Sequence, residues 1–150
     1  MRKKKHIYCQ YSSDYDIQFF DVDSMNIMWH GHYVKYLEMA RCAFLESIHY
    51  HYDVMKSTGF AWPIVQLNVK YVKPALFRQK IRVHLALVEY ETCIRFDYII
   101  TDIATGEKLT HANTTQVAVD MQTKEMLLQT PDSWQRAVQN AIDFQPLTKD

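Results

Sequence analysis

The stretch FFDVDSMNIMWHGHYVKYLEMARCAFL, Phe19 to Leu45, changes character halfway along. It opens on two aspartates, Asp21 and Asp23, passes through a mixture of Met, Asn, Trp, Gly and His, and ends in a helical pattern. Tyr33, Leu37, Ala40, Phe44 and Ile48 follow the spacing of one helix face. Tyr36, Ala43 and Leu45 widen that face well beyond a stripe. Lys35, Glu38 and Arg41 are left as a narrow polar side, with Glu38 and Arg41 spaced for a helical ion pair. No Pro or Gly interrupts residues 32 to 58, so the helix is expected to run about 17–20 residues, some 25–30 Å. A helix this apolar must be covered on most sides.

The segments around it say what covers it. Residues 7 to 20, rich in Tyr, Ile and Phe, read as a first strand, and residues 21 to 32 as a loop. After Gly59 the apolar period becomes two. Val65, Leu67, Val69 and Tyr71 alternate with Gln66, Asn68 and Lys70; Ile81, Val83, Leu85 and Leu87 alternate with Arg82 and His84. Ile94, Phe96, Tyr98 and Ile100 alternate with Arg95 and Asp97, a hairpin turn follows at Gly106, and LTHANTTQVAVD reads as the last long strand. Residues 130 to 143 read as a short helix with Thr130 as N-cap and Pro131 at its first helical position. Four strands joined by short links imply an antiparallel sheet. The fold expected is α+β, a curled antiparallel sheet of about five strands wrapped round one long central helix, in one domain spanning residues 1–150.

Bulk properties agree. A chain of 150 residues is one ordinary domain and holds a core without staples. It is 48% hydrophobic and 23% charged, as globular proteins are, which argues against disorder. Its 17 basic and 17 acidic residues balance, so nothing global favours nucleic acid. No apolar run is long enough for a membrane span, and the basic opening MRKKKH lacks the apolar core of a secretory signal. Cys9, Cys42 and Cys93 form neither a disulfide framework nor a C-x-x-C site, which points to a reducing, cytoplasmic location.

FDVDSMNIMWHGHYVKYLEMAR resembles the active-site segment of the 4-hydroxybenzoyl-CoA thioesterase family, whose members have the hot-dog fold. The matching positions are Asp21 and Asp23, the hydrophobic pair Ile27 and Met28, then Trp29, His30 and Tyr33, and Glu38 and Arg41 on the helix. The strand order and the strand-then-Pro segment VKYVKPALF fit as well, so the resemblance covers about residues 10 to 122. One departure is Asn26, where family members commonly have Gly. Gly there suggests a positive φ, and Asn tolerates that conformation best after Gly.

The resemblance implies an acyl-CoA thioesterase that works without a cofactor or metal, as a homodimer or homotetramer with its site at the subunit interface. It implies Asp23 as the catalytic carboxylate and a backbone N–H near His30 as the oxyanion donor. The chemistry is sound on its own. A thiolate leaves readily, since a thiol's pKa is about 8.5, so hydrolysis needs only a carboxylate to attack or to activate water, and donors for the oxyanion. The start of a buried helix offers such donors. Against this, an Asp before a helix commonly serves turns and caps, and Asp21 is expected to do so.

Other candidates are weighed in the same way. His30 is expected to assist in the site, and Asn26, Trp29, Tyr33 and Trp62 to shape or line the substrate pocket. His30 and His32 lack a third ligand at a familiar spacing for metal. Cys42 sits mid-helix, where nothing activates a thiol. Lys70, Lys73, Arg78, Lys80 and Arg82 could meet CoA phosphates or an acidic carrier protein, or simply be a solvated edge. An acyl carrier protein thioesterase and a non-catalytic acyl-CoA binding module remain the alternatives.

Overall fold

A computed structural model describes residues 5–148, so most of the basic opening MRKKKH lies outside the described residues. The alternating segments pair into one antiparallel sheet. Its strands are β1 (Cys9–Asp16), β3 (Ile64–Tyr71), β4 (Lys80–Glu89), β5 (Ile94–Asp102) and β6 (Lys108–Gln116), in spatial order β1-β4-β5-β6-β3. Two short strands, β2 (Phe60–Ala61) and β7 (Val119–Asp120), form a separate ribbon. The helices are α1 (His32–Ser47), α2 (Tyr52–Ser57) and α3 (Asp132–Gln139).

Register explains the core. Leu87 faces Phe96, Leu85 faces Tyr98 and Val83 faces Ile100 across β4 and β5. These six side chains are all buried on the face that meets α1. The helix contributes Tyr33, Tyr36, Leu37, Ala40, Phe44 and Leu45, and Phe44 stands edge-on to Phe96 at 5.5 Å. This is the expected helix in a curled sheet.

Several details differ from the sequence reading. The first strand is shorter than 7–20, because the chain turns through a 3-10 turn at Phe19–Asp21. LTHANTTQVAVD splits into β6 and β7, and β7 pairs with β2 instead of continuing the sheet. The long helix stops at Ser47 although no Gly or Pro follows, because His49 takes a left-handed φ of 59°. His49 N–H then bonds the Glu46 carbonyl at 3.0 Å and Tyr50 N–H the Leu45 carbonyl at 2.9 Å, a Schellman termination built on histidine. Arg41 is buried, not on an exposed polar side, and pairs with Glu38 at 2.9 Å and with the Tyr52 hydroxyl. The C-terminal helix begins at Asp132 with Pro131 as the N-cap residue. Thr130 instead donates its hydroxyl to the Tyr90 carbonyl at 2.7 Å.

Strand β3 is one of the two edges of the sheet, with β1 at the other. Its register puts Leu67, Val69 and Tyr71 on the helix side, yet Leu67 and Tyr71 are exposed, as are Ile64, Val65 and the following Val72. Among the described residues no helix is long and apolar enough to cross a membrane.

Replacing Phe44 by Ala opens a cavity where α1 meets β5. Equilibrium urea unfolding is expected to show a loss of about 3–5 kcal/mol. A loss under 1 kcal/mol would contradict the packing described.

Candidate active site

The loop ahead of α1 is a tight turn closed on itself. Asp23 N–H bonds the Ile27 carbonyl at 2.9 Å, and Asn26 N–H bonds the Asp23 carbonyl at 3.0 Å. Asn26 has φ 61°, the left-handed conformation expected of it from the sequence. The turn is pinned to the segment after β3. Ile27 bridges to Leu76, Met28 N–H bonds the Ala75 carbonyl at 2.8 Å, and Phe77 N–H bonds the Asn26 carbonyl at 3.2 Å.

The two aspartates part company here. Asp21 is fully buried, and its carboxylate accepts hydrogen bonds from the Tyr36 hydroxyl, the Lys35 ammonium and Gln18 N–H. Burial alone would raise its pKa, but the bonds from Lys35, Tyr36 and Gln18 outweigh that and hold it below the usual carboxylate value. Burial and the Asp21 carboxylate together push the Tyr36 hydroxyl well up. The Asp21 carbonyl in turn receives Trp29 N–H at 2.9 Å, so this knot fixes the approach to α1.

Asp23 is exposed. Its Oδ1 accepts Met25 N–H at 2.8 Å and Ile27 N–H at 3.4 Å, the turn chemistry open to any Asp. Its Oδ2 accepts no hydrogen bond from a described residue. Asp23 lines a cleft of about 280 Å³ with Trp29, His30, Tyr33, Tyr71 and Lys73.

His30 and Gly31 lead directly into the first turn of α1. Among the described residues neither the His30 nor the Gly31 N–H has an acceptor. The cleft therefore joins a carboxylate oxygen to open donors at the positive end of a buried helix. Gly31 lies under the Trp29 indole, which crosses the backbone at this point. A Cβ there would collide with that ring, so the half-exposed indole would have to move. Trp29 also contacts the rings of His30 at 4.8 Å and His32 at 5.3 Å.

Of the residues named from the sequence, Asp23, Trp29, His30 and Tyr33 meet in this cleft. Asn26 shapes the turn behind it and is not among its lining residues. Trp62 is not brought to it. Its ring is buried 5.9 Å from Trp134, and its carbonyl accepts from the Gln116 amide, so it belongs to the core under α3. The basic cluster disperses, with Lys73 paired to Glu107 and Arg82 to Asp14. Burial raises the Cys42 thiol, which keeps it unreactive. Tyr71 was read only as an apolar strand position, yet its hydroxyl donates to the His30 carbonyl at 2.7 Å.

The thioesterase-like superfamily matches residues 17–142 of the chain. "Putative acyl-CoA thioesterase YneP" of Bacillus subtilis (strain 168) is 27% identical over 75 residues, 50% of this chain and 54% of that protein. "Putative esterase" of Aquifex aeolicus (strain VF5) is 32% identical over 94 residues, 61% of this chain and 73% of that protein. The match thus spans about half the length of the Bacillus relative. The crystal structure of Slr0204, a 1,4-dihydroxy-2-naphthoyl-CoA thioesterase from Synechocystis, superposes with a TM-score of 0.81 at 20% identity. The alignment covers 88% of this chain and 97% of that one, which establishes a shared fold.

Substituting Asn26 tests the turn. Asn26→Gly is expected to leave stability within about 0.5 kcal/mol, and Asn26→Ala to lose about 1 kcal/mol, since a Cβ without a local hydrogen-bonding group is penalised at positive φ. Chemical denaturation compares the two; equal midpoints for Gly and Ala would refute the conformational role.

Proposed function

The chain belongs to the thioesterase-like superfamily, and we propose that it hydrolyses the thioester of an acyl-CoA to free acid and CoA. The observation that carries this reading is that Asp23 and His30 line one cleft, with the His30 and Gly31 N–H groups unbonded just ahead of α1. The name of the Bacillus relative supports CoA as the carrier. An acyl carrier protein is the alternative, and a non-catalytic binding module the remaining one.

In this reading the thioester carbonyl carbon sits against Asp23 Oδ2, and its oxygen points at the His30 and Gly31 N–H groups. Asp23 either attacks the carbon, expelling the CoA thiolate to leave a mixed anhydride that water then cleaves, or takes a proton from the attacking water. In both routes negative charge collects on the carbonyl oxygen, which preorganised donors stabilise. The departing thiolate needs little protonation, with a thiol pKa near 8.5. Trp29, Tyr33, Ile27 and Met28 offer an apolar wall for the acyl group.

We further propose that two copies pair through β3. The strand presents unpaired backbone and exposed Val65, Leu67 and Tyr71, a combination that a lone soluble chain normally avoids. The three free cysteines fit a reducing, cytoplasmic setting.

Asp23→Asn keeps the turn's acceptor oxygen and removes the charge. On a panel of acyl- and aryl-CoA thioesters, kcat is expected to fall at least about 100-fold with folding intact; wild-type turnover in that variant would sink the assignment. Light scattering is expected to give a dimer mass for the wild type and a monomer for Leu67→Lys. A monomeric wild type would remove the β3 interface.

A further inference from the structure

We infer that Tyr71 is a positioning residue for the hydrolysis, holding the His30–Gly31 peptide so that the open N–H groups on either side of the His30 α-carbon meet the developing oxyanion. This rests on the reading of the cleft given above. Tyr71 ends β3, opposite Thr110 of β6. Its ring stands edge-on to Tyr33, with centroids 4.9 Å apart and planes at 85°. Tyr33 is fixed in turn, its hydroxyl accepting Ala75 N–H at 3.0 Å. From this braced position the Tyr71 hydroxyl donates to the His30 carbonyl at 2.7 Å.

The neighbouring backbone groups are tied by main chain. Trp29 N–H bonds the Asp21 carbonyl at 2.9 Å, and the Trp29 carbonyl receives His32 N–H at 2.9 Å. Among the described residues, Tyr71 makes the only side-chain hydrogen bond to the His30 main chain. It thereby completes the constraint on both peptides that flank the His30 α-carbon, leaving the His30 and Gly31 N–H groups open. The His30 carbonyl and the Gly31 N–H share one rigid plane, so a bond to the oxygen fixes the direction of the N–H. Donation to the carbonyl also polarises that peptide, which strengthens its N–H as a donor. In the single chain Tyr71 is 47% exposed, so its hydroxyl has water as an alternative and contributes little to the stability of that chain. What it supplies is direction, to which catalytic donors are sensitive on the scale of 1 Å.

Tyr71→Phe keeps the ring and removes the hydroxyl. On an acyl-CoA substrate, kcat is expected to fall on the order of tenfold, with KM within about twofold and the urea midpoint unmoved. A dithioester analogue presents a thiocarbonyl sulfur, a poor hydrogen-bond acceptor; on it, variant and wild type are expected to differ by less than about twofold. The His30 and Gly31 amide resonances should shift and exchange faster with solvent. Equal kcat, an equal loss on both substrates, or unmoved His30 and Gly31 amides would each overturn the role. If Asp23→Asn also matched wild type, the hydrolysis reading itself would fall; if Asp23→Asn is inactive and Tyr71→Phe is not, only this inference falls.

Discussion

A helix covered on most sides must still leave its first N–H groups unbonded, because no preceding turn exists to accept them. In this protein that constraint organises the rest. The sheet curls round α1, the core residues of β4 and β5 close on it, and its N-terminal end is left facing the cleft beside Asp23. An ordinary N-cap would have satisfied those groups with a side-chain oxygen. Here the N-cap position is Gly31, which has no side chain to offer, and any side chain there would have to displace the Trp29 indole. The His30 and Gly31 N–H groups just ahead of the helix stay open in addition, so donors accumulate at this end.

The two aspartates show how environment divides identical side chains. Asp21 lies in the interior, where a carboxylate persists only if surrounded by donors, and Lys35, Tyr36 and Gln18 provide them. It is locked, and its value lies in anchoring Trp29 through its own carbonyl. Asp23 sits two residues on, in water, with one oxygen holding its turn and the other open. The locked residue makes the free one useful, because an exposed carboxylate on a loose loop would not keep a fixed relation to the helix end.

Much of this was legible in the sequence where a single physical rule dominated. Strict alternation in β4 and β5 revealed their buried faces because those strands are central and one face of each meets α1. Asn26 was legible because few residues tolerate positive φ. What escaped notice depended on tertiary partners. His49 ends α1 in a role usually filled by Gly, and Arg41 is buried because Tyr52 returns to meet it. Trp62 looked like a pocket residue until α3 closed over it. Tyr71 carried a strand signal that conceals what its hydroxyl reaches, since alternation reports the face of a side chain and not its polar tip.

Strand β3 links two properties that would otherwise seem separate. It is an edge of the sheet, with Leu67 and Val65 in solvent, and it ends in the tyrosine that holds the His30 carbonyl. The segment that follows it supplies Val72, Lys73 and Pro74 to the cleft and Ala75 to the turn below. Any surface laid along β3 therefore presses on a wall of the cleft, and any displacement of that wall moves Tyr71 relative to the start of α1. Rigidity at the site is thus tied to what covers the edge: the strand proposed to pair with a second copy is also the one whose last residue holds the His30 carbonyl.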